Sequence, residues 1–259
     1  MGTGCRRAIL FLLFSPLFGT GFAQTETPVK VDKPLKSYSH WYFGAEYGVP
    51  FLFGDFTSFS ADKNYVGSQF GGFAGYQVNS WIGIEASART GYTRMGAKSY
   101  AGDYLMNADG MTYYTNQDFN TWKYKDVFSK VHFTNIGLQM NLNVNNFFGP
   151  NRGNRRWTVL LSPAVYAQHF STELINKADK SPLSGKKTDK WNIGIGGDVS
   201  LRYKISRAFD VQLRTGIIWV NNNKMDGIST LIKSKDHFMT SAGLSLIWKV
   251  GKKKEDNVL

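Results

Sequence analysis

The chain has 259 residues, with 31 basic and 19 acidic side chains, a formal net charge of +12 and 15% aromatic residues. Its only cysteine is Cys5, so the sequence excludes an internal disulfide and a multi-cysteine metal site. After the first two dozen residues no segment approaches the 18 consecutive apolar residues of a membrane-spanning helix.

The chain opens with features typical of a secretory signal peptide. Arg6 and Arg7 precede an apolar run over residues 8–18, and the small residues Gly21 and Ala23 after it are typical of a cleavage site after Ala23. A membrane anchor is the weaker alternative, because the run is short and Pro16 interrupts it. We therefore expect a signal peptide at 1–23, followed by a polar periplasmic leader at 24–40.

From residue 41 onward, apolar and polar residues alternate, which is the period of a β-strand with two different faces. The clearest stretch is Trp191–Ile205, whose odd-numbered residues are apolar or glycine while the even-numbered ones are polar, charged or glycine. The same pattern predicts eight strands in total: Trp41–Val49, Gly72–Val78, Ile82–Tyr92, Ile136–Val144, Trp157–Ala167, Trp191–Ile205, Phe209–Trp219 and Phe238–Trp248.

Two places disturb this alternation, and each predicts a bulge. Val131 and Phe133 fall on the polar face upstream of the fourth strand. Pro163 lies within the fifth strand, where it cannot donate a backbone hydrogen bond.

The predicted connections alternate between long and short. Long loops follow the first, third, fifth and seventh strands, at Pro50–Tyr65, Arg94–Lys130, Ser171–Lys190 and Asn221–Asp236. This asymmetry is typical of a membrane barrel with long extracellular loops, short periplasmic turns and both termini in the periplasm.

The two faces of the strands predict lipid outside and a polar lumen inside. No Lys, Arg, Asp or Glu falls on the apolar face, where a charge costs about 2–4 kcal/mol at the bilayer midplane. Aromatic residues near strand ends predict an interfacial girdle of Trp41, Trp157, Trp191, Tyr203 and Trp219. A soluble lipocalin-type barrel is the alternative, but glycines on the polar face suit a crowded lumen better than a water-facing surface.

The lumen of an eight-stranded barrel is just wide enough for side chains to fill it. Charged residues there must pair, so we expect a structural network rather than a gated ion path. The expected members are Glu46, Glu85, Arg89, Asp198, Arg202, Lys204, Asp210 and Arg214.

The C-terminal segment resembles the assembly signal of the small eight-stranded outer-membrane β-barrel family of Gram-negative bacteria. The matching positions are Ser241, Gly243, Leu246 and Trp248, although an eleven-residue tail follows where many members end. The resemblance implies an all-β, up-and-down transmembrane barrel at 41–249 with a periplasmic tail at 250–259. It also implies recognition by the barrel-assembly machinery and insertion in the outer membrane, against lipid and lipopolysaccharide.

Catalytic and metal-binding residues are sparse. His169 and Ser171 share the outward face and resemble the His-x-Ser of outer-membrane lipid A deacylases, but Glu173 follows too closely to match that family's carboxylate. His40, His132 and His237 show no metal-ligand spacing, and no cofactor is expected. The sequence therefore predicts a non-enzymatic barrel, with a lipid A hydrolase or a small channel as alternatives.

The loops carry the remaining signals. Lysines cluster in the fifth-strand loop, where they could meet lipopolysaccharide phosphates, and the loop 94–130 is rich in tyrosine, as recognition surfaces are. These lysines are Lys177, Lys180, Lys186, Lys187 and Lys190. Nucleic acid is not an expected partner, because the basic residues are dispersed along the chain.

Overall fold

A computed structural model describes residues 40–59, 65–97, 104–106, 110–115, 117–147, 155–183, 187–221, 225–228 and 237–250. The predicted signal peptide, most of the leader, nearly all of the tail and Lys186 lie outside the described residues.

Eight antiparallel strands form one closed barrel in which each strand pairs with its sequence neighbours and β1 pairs with β8. The strands are β1 His40–Phe53, β2 Ser68–Gln77, β3 Ile82–Gly96, β4 Val127–Asn143, β5 Trp157–Asn176, β6 Thr188–Lys204, β7 Phe209–Val220 and β8 His237–Val250. A 3₁₀ turn at Tyr124–Asp126 and the one-turn helix α1, Val144–Phe147, complete the described structure. Within the described ranges, no helix is long and apolar enough to cross a bilayer.

The predicted up-and-down, eight-stranded all-β barrel is therefore confirmed. Several strands extend further toward the long connections than the alternation indicated: β4 begins at Val127 and β5 continues to Asn176. We call this end of the barrel, where the connections after β1, β3, β5 and β7 lie, the long-loop end. The opposite end is the short-turn end.

Both predicted bulges are wrong. The register between β3 and β4 is continuous from Ile82 opposite Leu142 to Gly96 opposite Phe128. Val131 and Phe133 are on the inner face because the lumen is apolar at that depth, and both are buried. Pro163 pairs in register with Gly197 of β6, and the ladder between β4 and β5 keeps one register on both sides of it.

The outward face of the barrel is an apolar band, as expected for contact with lipid. Residues such as Ile193 and Ile195 are 74% and 59% exposed in the isolated chain, whereas the polar residues of the same strands point inward. A water-soluble barrel would place its apolar face inside. The band therefore indicates a membrane-embedded barrel.

Candidate functional site: the filled lumen and the long-loop end

A cluster of five charged side chains fills the middle of the lumen. Arg89 of β3 lies 3.3 Å from Glu46 of β1 and 2.9 Å from Asp198 of β6. Arg214 of β7 lies 2.8 Å from Glu85 of β3, and it also contacts Glu46 at 3.5 Å and Asp198 at 3.9 Å. All five side chains are buried, so each arginine balances carboxylates from other strands in a low-dielectric space.

Polar side chains donate further hydrogen bonds to both carboxylate oxygens of Glu85. Tyr42 Oη donates to Glu85 Oε2 at 3.0 Å, Gln139 Nε2 donates to Oε1 at 3.0 Å and Asn141 Nδ2 donates to Oε2 at 3.0 Å. These partners were missed in the sequence analysis. They lie on the inward face of their strands, so their parity together with their hydrogen-bonding groups could have identified them.

Three predicted lumen charges lie outside this cluster. Arg202 donates to Gln212 at 2.8 Å, and its guanidinium carbon lies 5.1 Å from the centre of the Tyr42 ring. Lys204 and Asp210 face each other in the β6–β7 ladder at the short-turn end, where Asp210 forms an ion pair with Lys249.

Glycines make room for the inward aromatic rings. A Cβ at Gly75 would overlap the Tyr42 ring, and one at Gly137 would lie 2.5 Å from the Tyr166 ring. The repeated glycines of the polar face therefore allow a narrow lumen to hold large side chains.

Beyond the charged cluster, toward the long-loop end, the lumen is closed by an apolar plug. We give this name to the buried cluster formed by strand residues and by residues of the connecting segments. The strand residues include Leu52, Met95, Val131, Phe133, Phe170, Val220 and Met239, and the connecting segments contribute Phe56, Leu105, Met225 and Ile228. The predicted filled polar lumen is therefore present in the middle of the barrel, and the apolar plug at the long-loop end is an addition that the sequence did not predict.

The segment 225–228, between β7 and β8, is fastened into this plug by polar contacts. Asp226 Oδ2 accepts hydrogen bonds from the backbone N–H groups of Asp55, at 3.1 Å, and Phe56, at 3.2 Å. Ser129 Oγ donates to the Asp226 carbonyl at 2.8 Å, and Thr172 Oγ1 donates to the Met225 carbonyl at 2.6 Å.

His169 and Ser171 lie on the outer face of β5 at the long-loop end. His169 Nε2 bonds to the Asp189 carboxylate of β6, and its ring lies 5.0 Å from the Trp191 ring. Asp189 is directly opposite Ser171 in the ladder. Asp189 was missed because it precedes the strand start that the alternation predicted.

In the described part of the connection between β3 and β4, isolated β-bridges pair Tyr104 with Lys123 and Tyr114 with Thr121. Backbone bonds join Leu105 to Trp122 at 2.7 Å and Tyr113 to Leu105 at 3.0 Å, and Trp122 Nε1 donates to the Tyr114 carbonyl at 3.0 Å. Leu105 is buried in the apolar plug, whereas Tyr104, Met111, Tyr114 and Phe119 are exposed.

The four predicted girdle tryptophans are exposed on the outer face, Tyr203 is half-buried there, and the five residues lie at two levels. Trp41, Trp157 and Tyr203 lie near the short-turn end, where the last two rings are 4.6 Å apart, and Trp191 and Trp219 lie toward the long-loop end. Of the expected assembly signal, Ser241 and Gly243 are on the inner face of β8, and Leu246 and Trp248 face outward.

No protein-family model matches the chain, and no curated protein sequence matches it. Solved structures of similar architecture exist at low identity. A major outer membrane protein from Thermus thermophilus has 11% identity and a TM-score of 0.47, over 81% of this chain and 99% of that chain. Neisserial surface protein A has 12% identity and a TM-score of 0.45, over 80% and 96%. Ail of Yersinia pestis has 10% identity and a TM-score of 0.43, over 82% and 98%.

Proposed function

We propose that this protein, a small eight-stranded outer-membrane β-barrel, is a non-enzymatic interaction protein that presents its long loops at the cell surface. The observation that carries the proposal is that the lumen is filled at two depths, by the charged cluster in the middle and by the apolar plug toward the long-loop end. A barrel filled in this way serves as a rigid support for its loops.

The filled lumen argues against the alternative of a channel. An ion crossing the lumen would have to separate buried ion pairs, which leaves their charges uncompensated. It would then have to enter an apolar layer, which requires the ion to lose its water. We expect refolded protein in planar bilayers to show no conductance steps, with a general porin as the positive control. Stepwise conductance from the pure protein would contradict the proposal.

The exposed aromatic residues of the β3–β4 connection are the best candidate contact surface within the loop 94–130. Tyrosine and phenylalanine provide large contact areas at low entropic cost, and β-bridges hold Tyr104 and Tyr114 in the same connection as the buried Leu105. We expect a variant with Tyr104, Tyr114 and Phe119 replaced by serine to fold normally but to lose attachment of barrel-bearing proteoliposomes to host-cell surfaces. Serine replacements at Lys180, in the β5–β6 connection, and at Lys190, near the start of β6, provide the matched control, since they remove exposed residues elsewhere at the long-loop end. Unchanged attachment in the aromatic variant would contradict this assignment.

The lysines of the β5–β6 connection provide a separate contact with lipopolysaccharide phosphates through charge attraction. The same lysine variant tests it. We expect less lipopolysaccharide to co-purify with the variant than with the wild-type barrel, and equal amounts would count against the contact.

We also propose that the end of β8 is the signal read by the barrel-assembly machinery. Trp248→Ala in cells should lower the amount of heat-modifiable barrel in the outer membrane, while refolding in detergent stays efficient. An equal loss in both settings would instead indicate a structural role for Trp248.

A lipid A hydrolase is the second candidate, and the contact between His169 and Asp189 favours it. In this mechanism Asp189 orients the imidazole, and His169 removes the Ser171 proton as the hydroxyl attacks an acyl ester of lipid A. His169 passes this proton to the departing lipid A hydroxyl as the ester bond breaks, and water then hydrolyses the acyl-serine and releases the fatty acid. Residues two apart along a strand are about 7 Å apart, so His169 and Ser171 must rotate toward each other for this reaction.

Mass spectrometry of lipid A from cells expressing the barrel tests this activity. Loss of one acyl chain with the wild type but not with Ser171→Ala or Asp189→Asn would support the hydrolase, with Glu173→Gln as the matched control. Identical lipid A with and without the wild-type protein would eliminate it.

A further inference from the structure

Three titratable side chains from separate parts of the chain converge beside the apolar plug. They are Asp55, just after β1, Asp226 in the segment 225–228, and His237 at the start of β8. One ligand atom from each lies within 4.8 Å of the other two. Asp226 and His237 are fully buried, and Asp55 is partly buried.

The hydrogen bonding of His237 shows whether these three side chains are arranged to bind a metal ion or a proton. A metal-bound histidine donates its other ring N–H to an acceptor. Here the backbone N–H of Met225 donates to His237 Nδ1 at 3.3 Å, so Nδ1 must be unprotonated. A neutral ring then carries its proton on Nε2, which lies 3.6 Å from Asp226 Oδ2 and cannot also bind a metal.

The carboxyl groups of Asp55 and Asp226 can instead share a proton. Burial, and secondarily the charge of Asp55, raises the pKa of Asp226 to about 7, although backbone N–H groups of Phe56, Ile228 and Asp55 act in the opposite direction. Two charged carboxylates this close together in a buried site disfavour each other, whereas one shared proton relieves the repulsion.

We propose that Asp226 and Asp55 form a proton-dependent latch that holds the segment 225–228 in the barrel mouth at acidic pH and loosens it as the pH rises. The latch acts on the plug itself, because Met225 and Ile228 on either side of Asp226 are both buried members of it. Among the described residues, Asp55 and His237 are the titratable groups that face Asp226 from the elements around it.

The sign of the pH dependence follows from proton binding. When the segment is released, Asp226 is solvated and its pKa returns to an ordinary value near 4, so the docked state holds the proton more tightly. Docking is therefore strongest at acidic pH and weakens between about pH 4 and pH 7, by up to about tenfold per pH unit.

Hydrogen exchange of the refolded mature barrel in detergent micelles, between pH 5 and pH 8, tests the latch. After correction for intrinsic exchange rates, we expect the protection of the Met225 and Ile228 amides to fall as the pH rises to about 7 and then to level off. Asp226→Asn should remove the pH dependence. Asp55→Asn should make the pH range over which protection falls narrower, because the charge of Asp55 no longer raises the pKa of Asp226. A pH dependence should remain, because burial still raises that pKa.

Asp179→Asn is the matched control, since Asp179 is an exposed aspartate of another connection that bonds to Ser181 at 2.7 Å. It should leave the profile unchanged. If Asp226→Asn does not give a heat-modifiable band, the Asp55→Asn profile decides alone. Protection that is flat or rises with pH in the wild type would overturn the proposal. So would protection that depends on added Zn²⁺ or Mn²⁺ and is reversed by a chelator.

Discussion

Arg214 of β7 donates to Glu85 of β3 across the lumen, with 2.8 Å between Nη2 and Oε1. These two strands are not neighbours in the barrel, so the ion pair joins opposite walls. Removing one member of a buried pair leaves the other charge uncompensated, which costs about 3–5 kcal/mol.

Arg214→Met should therefore lower the free energy of unfolding by about 3–5 kcal/mol, measured by urea titration of the refolded barrel. The double variant R214M/E85Q should recover part of this loss, because it also removes the Glu85 carboxylate that has lost its partner. Arg156→Met, at an exposed position before β5, is the control and should change little. If R214M and R156M unfold at the same urea concentration, the cross-lumen pair contributes nothing.

The apolar plug predicts a difference between inner and outer residues of β4. Phe133 is 1% exposed within the plug, whereas Ile136 is 50% exposed on the lipid-facing side. Phe133→Ala should cost about 3–5 kcal/mol of unfolding free energy, because it leaves a cavity in a packed core. Ile136→Ala should cost clearly less in the same detergent, and equal costs would mean that the plug is loosely packed.

Two glycines of β2 are expected to respond differently to replacement by alanine. A Cβ at Gly75 would overlap the buried Tyr42 ring, whereas the nearest atom to a Cβ at Gly72 is a backbone oxygen 3.6 Å away. Gly75→Ala should destabilise the barrel by about 1–3 kcal/mol through overpacking, and Gly72→Ala should be close to neutral. Denaturant midpoints of the two variants test this, and a neutral Gly75→Ala would show that Tyr42 can move aside.

Gly227 combines a left-handed backbone with a close neighbour. Its φ is +82°, and an added Cβ would lie 2.9 Å from the Thr172 side chain. Gly110 has a similar φ of +83° but open space around it. Gly227→Ala should cost about 1–3 kcal/mol in docking of the segment 225–228, since strain and contact add, and should increase hydrogen exchange there.

Gly110→Ala carries the strain without the contact and serves as the control for Gly227→Ala. We expect it to leave exchange in the segment 225–228 at the wild-type rate. Equal exchange in both variants would mean that the segment does not depend on its packing against Thr172.

The alternation of residues was sufficient to predict the number and order of the strands and the inward side of the charged residues, but not how far the strands extend toward the long-loop end. Glu46, Glu85, Arg89, Asp198 and Arg214 all follow the inward parity, and the structure brings them into one cluster. Arg202 follows the same parity but lies beside Tyr42 instead. Parity defines a side of the sheet but not a depth along the barrel axis. It could not therefore tell Arg202 apart from the five charged residues that form the cluster.

The apolar plug illustrates the same limit more strongly. Val131 and Phe133 looked misplaced because the alternation of the membrane band was extended to a depth where the lumen is no longer polar. At that depth apolar side chains from loops, such as Met225, pack against apolar side chains of the strands. No local pattern reports which loop turns inward.

The sequence by itself determined the barrel class, because a strand between lipid and a polar lumen must alternate with period two. Only the tertiary structure decided which residues meet. Asp55 and Asp226 are separated by 171 positions, and His169 and Asp189 lie on different strands. Such contacts depend on strand register and loop path, which closure of the barrel sets for all eight strands together.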